Sequence, residues 1–334
     1  MTDTRPETAR PPDFGALEQA AARIKAEAVE TPLIRSDALD EVTRARVFIK
    51  PECLQRTGSF KFRGAYNRIS RIDPAQHPAG VVAYSSGNHA QGVAAAARLA
   101  GLPAVIVMPH DTPALKRQNT EALGARVVGY DRASEDREAI ARAIAAETGA
   151  IVVPPYDDPD IIAGQGTAGL EFAGELARRG ERLDVLLVPV SGGGLIAGIA
   201  LAFETLSPET RIYAVEPQGF DDHARSLASG RRERNACGEG SVCDALMSWE
   251  PGELTFEVNR RLLAGGVAVS EDEVKDAVAF AYRTLKLVAE PGGAAALAAV
   301  LAGRPEIAGK TVGVVISGGN ADPVSYCAMI AGAR

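Results

Sequence analysis

The chain has 334 residues, of which 36 are basic and 43 acidic, so its net charge is −7. Hydrophobic residues make up 46%, enough for a sizeable core, which excludes intrinsic disorder as the main state. The acidic net charge argues against nucleic-acid binding, which needs a basic face. The chain has 34 glycines and only 5% aromatic residues, a composition that favours tight strand–helix turns and close backbone packing.

In chain order, helices and strands alternate. The first half predicts helices at 14–28, 89–100, 113–123 and 135–148 and strands at 46–49, 80–84, 103–108, 126–130 and 150–153. The second half predicts helices at 166–178, 195–204, 271–286 and 293–301 and strands at 184–190, 211–216 and 311–316. This alternation is typical of βαβ units, with mostly parallel sheets and helices on both faces. The polar, Gly-bearing residues 229–244 predict a surface loop.

Small-residue loops follow three of the predicted strands. They are Ser-Ser-Gly-Asn at 85–88, Ser-Gly-Gly-Gly at 191–194 and Ser-Gly-Gly-Asn at 317–320. In open parallel sheets, ligands bind at the carboxyl ends of the strands. The three loops together therefore predict a shared ligand cleft.

The cysteines and the N-terminus bear on the compartment. The four Cys form no CxxC pair and the four His show no HxxxH spacing, so a structural zinc site is not expected. Four thiols without a disulfide framework favour a reducing compartment. The N-terminal segment is polar, lacks the apolar stretch of a signal peptide and is predicted to be a flexible arm, and no apolar run reaches transmembrane length. We expect a cytoplasmic protein that binds no membrane.

The loop at Ser191–Gly194 lies between an apolar strand and a predicted helix. Glycines let backbone N–H groups approach a ligand closely, and a helix N-terminus attracts anions, which suits a phosphate. The same residues also fit the loose dinucleotide fingerprint Gly192-x-Gly194-x-x-Ala197, with Glu216 at the distance expected for an acidic ribose ligand. By itself this segment leaves a phosphate-bearing cofactor and NAD both open.

Lys61 lies between Phe60 and Phe62. One interpretation is a surface lysine that opens an amphipathic helix whose Phe side chains enter the core. The other is a lysine in a partly apolar pocket, where desolvation lowers the pKa and favours Schiff-base formation with a carbonyl cofactor. The residues alone favour the first interpretation.

Six motifs occur in an order that is specific as a set. They are Ser59-Phe60-Lys61-Phe62-Arg63-Gly64-Ala65, Ser85-Ser86-Gly87-Asn88-His89-Ala90-Gln91-Gly92, Pro155-Tyr156-Asp157-Asp158 with Ile162-Ala163-Gly164-Gln165-Gly166-Thr167, Ser191-Gly192-Gly193-Gly194-Leu195, Glu290-Pro291-Gly292-Gly293 and Ser317-Gly318-Gly319-Asn320. Together they resemble the pyridoxal-phosphate (PLP) dependent threonine/serine dehydratase and serine racemase family, of fold type II. This resemblance, over 31–320, implies a tryptophan synthase β-like α/β fold with two open, twisted, mostly parallel sheets and helices on both faces. It also implies a large PLP-binding domain, 1–79 and 159–334, and a small mobile domain, 80–158.

The resemblance implies a PLP site. Lys61 would bind the cofactor covalently and later remove the Cα proton of the substrate. Asn88 would donate to the phenolic oxygen, and Ser317 would face the pyridine nitrogen, where a hydroxyl does not enforce protonation of the ring. Four backbone N–H groups would bind the phosphate, and Glu290 would lie near the ring in a less defined role. The implied cofactor-binding residues are Phe60, Lys61, Asn88, Gly192, Gly193, Gly194, Leu195, Glu290 and Ser317.

The implied substrate-binding residues include two with open roles. Ser86 occupies the position of the acid/base in the racemase members, but its alternative role is carboxylate binding only. Arg137 could bind a second carboxylate, as in 3-hydroxyaspartate, or be a solvated helix-surface arginine paired with Glu neighbours. The full set is Ser85, Ser86, Gly87, Asn88, His89 and Arg137, with Lys61 and Ser86 as catalytic residues.

The segment Glu216–Asp222 resembles the divalent-cation loop of the family. Glu216 and Asp222 would give carboxylate oxygens and Phe220 its carbonyl, a set of hard ligands that suits Mg²⁺, or else Ca²⁺ or Mn²⁺. The alternative is an exposed acidic turn after a strand.

The expected activity is dehydrative deamination of L-threonine or L-serine to a 2-oxo acid and ammonia by a homodimer. On the same fold, 3-hydroxyaspartate ammonia-lyase and serine racemase remain alternatives. An NAD-binding oxidoreductase that uses the Gly192 loop and a non-catalytic small-molecule sensor are the alternatives of other classes.

Overall fold

The computed structural model describes residues 10–112, 114–238 and 240–332. The predicted N-terminal arm at 1–9 and Pro113, the predicted start of one helix, lie outside the described residues.

Nine strands of the described chain form two sheets in which every ladder is parallel. The strands are Arg46–Pro51 (β1), Val81–Tyr84 (β2), Ala104–Pro109 (β3), Arg126–Tyr130 (β4), Ile151–Val152 (β5), Val185–Pro189 (β6), Arg211–Pro217 (β7), Gly265–Val269 (β8) and Thr311–Ile316 (β9). One sheet has the order β1-β9-β6-β7-β8 and the other the order β4-β3-β2-β5. Helices cover both faces, so the predicted α/β class with parallel sheets is confirmed.

Helices connect the strands. They are Phe14–Ile24 (α1), Asp37–Thr43 (α2), Lys61–Ile69 (α3), Asn88–Leu99 (α4), Ala114–Ala122 (α5), Arg137–Thr148 (α6), Pro159–Arg178 (α7), Gly194–Leu206 (α8), Asp222–Ser229 (α9), Glu253–Leu262 (α10), Glu271–Phe280 (α11), Pro291–Leu301 (α12) and Pro323–Gly332 (α13).

Local capping explains several helix bounds. Asp13, before α1, accepts a hydrogen bond of 2.8 Å from the backbone N of Ala16, and Asp136 accepts from the N of Glu138 at the start of α6. The predicted end of α1 at residue 28 is wrong, because the helix ends at Ile24, whereas the helix predicted over 271–286 does continue to Leu285. Helix α11 gives way after Phe280 to a single π turn, Ala281–Leu285.

Helix α7 begins earlier than the predicted residue 166. Its Asp158 accepts from two backbone N–H groups and Pro159 follows at the first helical position, a regular helix start. Its glycines let neighbouring helices touch. A Cβ on Gly164 would lie 2.6 Å from the Cα of Gly64 in α3, and one on Gly198 in α8 would lie 2.5 Å from the N of Gly166. Close backbone packing was therefore correctly predicted, but not its position.

Short or polar elements escaped the sequence analysis: α2, α9, α10, α13 and strand β8. Helix α3 appeared only as one interpretation of Lys61. Strand β8 forms the edge of the five-stranded sheet, and α10 packs against α8 next to the site.

Candidate active site

One pocket lies where the carboxyl ends of strands from both sheets meet. The loop after β2 lines it with Ser85–Asn88, the loop after β6 with Ser191–Gly194, and the loop after β9 with Ser317. Because β2 belongs to the four-stranded sheet and β6 and β9 to the five-stranded sheet, the pocket lies between the two sheets. The three loops form a shared cleft, as the sequence predicted.

Lys61 is the first residue of α3, and its side chain enters this pocket. Its Nζ donates a hydrogen bond of 2.7 Å to the carbonyl of Pro155 and lies 5.1 Å from the centroid of the Phe60 ring. Burial lowers the pKa of Lys61 to about 8, so a substantial neutral fraction exists near neutral pH. Lys61 thus opens a helix, as the first interpretation held, but its amine lies in the pocket.

Backbone pairing fixes the segment that precedes Lys61. Ser59 forms an antiparallel bridge with Gly318, and the N of Phe60 donates to the carbonyl of Ser317 at 3.1 Å. Lys61 and Ser317 are therefore held against the same pocket although they are far apart in sequence.

Below Lys61, α3 is anchored by a buried ion network. Arg63 and Glu52 are both 0% exposed and their side chains meet at 2.7 Å. Arg63 also contacts Glu171 of α7 at 2.6 Å, and Lys50 of β1 contacts the same carboxylate. The network ties α3 to β1 and α7, and the sequence analysis assigned it no role.

The Gly-rich loop meets the start of α8. Gly193, at φ 97°, precedes the helix without a side-chain capping hydrogen bond, so the first backbone N–H groups of α8 lack an intrahelical or capping partner. Residues Gly192–Leu195 line the pocket. A Cβ on Gly192 would lie 2.2 Å from the Tyr156 ring, so only glycine fits there. A helix N-terminus with free N–H donors, facing the same pocket as a desolvated amine, fits a cofactor that carries both a phosphate and an aldehyde.

Helix α10 and the residue before it form hydrogen bonds to this loop. The Thr255 hydroxyl donates to the carbonyl of Gly192 at 2.6 Å, and the N of Gly252 donates to the same oxygen at 3.1 Å. Asp157, next to Tyr156, accepts from the backbone N of Leu254 and of Thr255 and so caps α10.

The loop Ser85–Asn88 leads into α4, whose N-terminus faces the pocket. His89 is buried, and its Nε2 lies 2.9 Å from the carbonyl of Val153, to which it donates. Burial, with a smaller effect of the Lys61 charge, lowers the pKa of His89 to about 3, so the imidazole is neutral. The loop offers hydroxyl and backbone N–H donors to a carboxylate.

Asn88 is held between two side chains. Its Nδ2 donates to Glu290, and its Oδ1 accepts from the Nδ2 of Asn320 at 2.8 Å. Burial raises the pKa of Glu290 to about 7. Asn320 belongs to a motif that the sequence analysis quoted, but it was not assigned a site role.

Arg137, the first residue of α6, also lines the pocket. Its guanidinium carbon lies 5.8 Å from the centroid of the Tyr84 ring. Glu138, a neighbour expected to pair with it, instead forms an ion pair with Arg142 one turn further on. The structure therefore brings Arg137 into the same cavity as Lys61 and Ser85–Asn88.

A second polar cluster lies at the end of β7. Glu216, Asp222 and His223 are each no more than 1% exposed, and one possible ligand atom of each lies within 4.8 Å of the others. Glu216 accepts from the backbone N of His223 at 2.9 Å and from that of Ala224 at 2.8 Å. Burial raises the pKa of both carboxyl groups, to about 7 for Asp222. Because Glu216 and Asp222 are buried, the alternative interpretation of this segment as an exposed acidic turn is wrong for both residues. Phe220 is also buried.

Other pocket residues were not predicted. Tyr156 lies within a quoted motif but carried no role, and Tyr84 was read only as part of a strand. Lys116 pairs with Asp244, the end of the predicted surface loop, and both line the pocket. The residues next to these four side chains in the sequence do not indicate a functional role. Only the fold brings the four side chains to the pocket at the strand ends.

In the described part of the chain, no helix combines the length and the apolar character needed to cross a bilayer.

A family model described as "Pyridoxal-phosphate dependent enzyme" matches residues 24–318. The chain is 44% identical to L-threo-3-hydroxyaspartate ammonia-lyase of Pseudomonas sp, over 94% of this chain and 97% of that protein. It is 42% identical to L-threonine ammonia-lyase of Thermotoga maritima, over 92% and 75%. Among solved structures, maize serine racemase superposes with a TM-score of 0.88 at 37% identity, covering 96% of this chain and 97% of that chain.

Proposed function

Because the chain belongs to the family of pyridoxal-phosphate dependent enzymes, we propose that it is an ammonia-lyase for small β-hydroxy amino acids, with L-threo-3-hydroxyaspartate as the preferred substrate. The observation that carries the preference is the position of Arg137 in the cavity of Lys61 and the Ser85–Asn88 loop. The sequence resemblance by itself favours L-threonine or L-serine. The guanidinium of Arg137 in the pocket and the 44% identity to a hydroxyaspartate ammonia-lyase favour a dicarboxylic substrate.

PLP, when bound, supplies an electron sink that acidifies the Cα proton of the substrate. The Gly192–Leu195 backbone would bind its phosphate, Lys61 its aldehyde carbon, Asn88 its phenolic oxygen and Ser317 its pyridine nitrogen. Phe60 would pack near the ring, and Glu290, linked to Asn88, would lie beside it.

The chain's own residues then bind and orient the substrate. The N-terminus of α4, with Ser85 and Ser86, would bind the α-carboxylate, and Arg137 would bind the β-carboxylate through its planar fork of donors. The lowered pKa of Lys61 makes its neutral amine available to take the Cα proton. Loss of the β-hydroxyl as water leaves an enamine, and its hydrolysis consumes a water and releases ammonia and a 2-oxo acid.

Serine racemisation stays a second candidate, because Ser86 lies in the pocket with Lys61 and has a hydroxyl that could return a proton to Cα. The test is a substrate panel of L-threo-3-hydroxyaspartate, L-threonine and L-serine, scored for 2-oxo acid, ammonia and D-serine. We expect the highest kcat/KM for hydroxyaspartate. Activity confined to L-threonine and L-serine would refute the preference, and NADH binding without a PLP absorbance band would refute the function.

The division into domains is part of the proposal. Residues 80–158 contain the whole four-stranded sheet, and they carry Ser85–Asn88 and Arg137, whereas Lys61 and Ser317 lie outside them. Movement of this part as a small domain would close the pocket over the substrate. Hydrogen exchange that slows on both sides of the pocket when a substrate analogue binds would support this.

Three further features rest on the sequence. A divalent cation at Glu216, Asp222 and the Phe220 carbonyl is supported by the buried, adjacent carboxylates, and Mg²⁺ is the ion that the resemblance implies. The homodimer rests on the resemblance, and sedimentation velocity tests it. The cytoplasmic location rests on the cysteine content, and fractionation tests it.

A further inference from the structure

The cluster at the end of β7 contains a nitrogen donor that the sequence analysis did not assign. His223 Nδ1 lies 3.9 Å from the Glu216 Oε1 and 3.8 Å from the Asp222 Oδ2. These distances are too long for hydrogen bonds. Three potential ligand atoms at these separations are instead spaced as they would be around one metal ion. With the third separation no more than 4.8 Å, an ion equidistant from the three atoms would lie about 2.0–2.5 Å from each, a range that includes the bond lengths of divalent cations to nitrogen and oxygen.

Two of these atoms lack partners. Asp222 Oδ2 and His223 Nδ1 are buried and accept or donate no hydrogen bond, although Asp222 Oδ1 accepts from Asn235 at 2.7 Å. Buried polar atoms without partners are costly, and a bound cation would satisfy both at once. The distances suit several ions, so the donor type decides among them.

We propose that this site takes a first-row transition-metal ion, Zn²⁺, Co²⁺ or Mn²⁺, in preference to Mg²⁺, with His223 Nδ1 as its nitrogen ligand. This rests on the proposed cation site and changes its ion. Imidazole is a good ligand for borderline metals, whereas Mg²⁺ favours oxygen ligands and keeps its waters. Glu216, Asp222 and the Phe220 carbonyl would complete the protein ligands.

A second shell for the imidazole is present in α10. The His223 Nε2 lies 3.1 Å from the Asn259 side-chain nitrogen, and both residues are 0% exposed. Asn259 Oδ1 has no partner. A half-turn of its amide would let Oδ1 accept from Nε2–H, which leaves Nδ1 free for the metal. This gives up only a 3.5 Å contact with the Gly193 carbonyl. Ligating histidines commonly donate their other N–H to such a carbonyl.

The experiment uses the PLP-loaded enzyme, stripped with EDTA and studied without substrate, so its outcome does not depend on the substrate proposal. Mn²⁺ is added and its electron spin-echo envelope is recorded for coupling to a directly bound ¹⁴N. Zn²⁺ and Mg²⁺ affinities are measured by calorimetry. We expect ¹⁴N coupling in the wild type and an affinity for Zn²⁺ at least about tenfold above that for Mg²⁺.

Variants assign the nitrogen. His223→Gln should abolish the ¹⁴N coupling and weaken Zn²⁺ binding about tenfold or more while leaving Mg²⁺ binding within about twofold, since Gln offers an oxygen. Asn259→Leu should keep the coupling and weaken Zn²⁺ binding about tenfold, as a positioning residue would. His77→Gln, a histidine outside the cluster, is the matched control and should change neither.

If His223→Gln does not fold, the wild-type spectrum alone decides. Bound Mn²⁺ without ¹⁴N coupling, equal affinities for Zn²⁺ and Mg²⁺, or no cation bound at all would each overturn the proposal. In those cases the ammonia-lyase assay still stands as a separate test of the proposed function.

Discussion

Replacement of Arg137 by alanine should reduce the preference for 3-hydroxyaspartate and leave the reaction of L-serine intact. The guanidinium lines the same pocket as Ser85 and Ser86 and lies over the Tyr84 ring, where it could reach a β-carboxylate of the substrate. L-Serine carries no second carboxylate, so it makes no use of the guanidinium. The two substrates therefore separate a binding role from a general loss of structure.

The magnitude follows from the position of the side chain. Two unit charges about 4 Å apart at a protein surface interact by about 4 kcal/mol. Arg137 is half-buried, so solvent screening reduces that value toward the about 1.5–3 kcal/mol of a charged hydrogen bond. A loss of about 2–3 kcal/mol corresponds to a fall of about 30–150-fold in kcat/KM for hydroxyaspartate. For L-serine we expect a change within about twofold.

The assay measures kcat and KM for both substrates by release of 2-oxo acid. Arg137→Lys should recover part of the hydroxyaspartate activity, because it restores the charge but not the planar fork. Arg142→Ala, one turn further along α6 and paired with Glu138, is the matched control and should be silent. An equal loss for both substrates in Arg137→Ala, or no loss for either, would refute the assignment of Arg137 to the second carboxylate.

Three other changes test the site and its support. Rebinding of PLP to the stripped protein should accelerate up to about pH 8 and then level off. At pH 7 a lysine of that pKa is roughly one-tenth neutral, against about one part in 3000 for an ordinary lysine, and stopped-flow absorbance measures the rate. Arg63→Leu should lower the free energy of unfolding by about 3–5 kcal/mol, since it leaves Glu52 buried without its partner, as denaturant titration would show. Gly192→Ala should weaken PLP retention on dialysis, because its Cβ would lie 2.2 Å from the Tyr156 ring and the overpacking costs about 1–3 kcal/mol.

Control variants distinguish these specific effects from a general loss of structure. Arg178→Ala removes an exposed partner of Glu175 and should leave unfolding almost unchanged, in contrast to Arg63→Leu. Gly15→Ala, whose Cβ would meet no atom closer than 3.5 Å, should leave PLP retention unchanged. A rebinding profile that still rises well above pH 9 would contradict desolvation of Lys61, and wild-type retention in Gly192→Ala would contradict the close packing of Tyr156.

Residue periodicity predicted the long elements well. Strands 126–130 and 311–316 match β4 and β9, and the helix at 135–148 begins only two residues before α6. The elements that were missed, such as α9 and α10, are short or mostly polar, so tertiary packing rather than local pattern makes them helical. Helix α7 begins earlier than predicted, and its glycines lie where it packs against α3 and α8.

Functional residues divide in the same way. The three strand-end loops are visible in adjacent residues, whereas Lys61 was assigned to the site by the resemblance of six motifs, since its neighbours alone favour a surface position. Arg137 was weighed evenly between two interpretations, since its neighbours alone allow either one. His223 was passed over, because its relation to Glu216 and to Asn259 depends on the packing of α9 against β7 and of α10 against α9.

By itself, the sequence determined the alternation of strands and helices, the glycine loops at strand ends and the single lysine between two Phe residues, because each depends on residues close together in the chain. Only the tertiary structure decided that the loops share one pocket between two sheets, that Lys61 is desolvated there and that Arg137 joins it. Those facts depend on contacts such as the one between Asn88 and Asn320, 232 residues apart, and on the solvent that packing excludes. No local pattern encodes either, since both burial and long-range contact are properties of the folded chain as a whole.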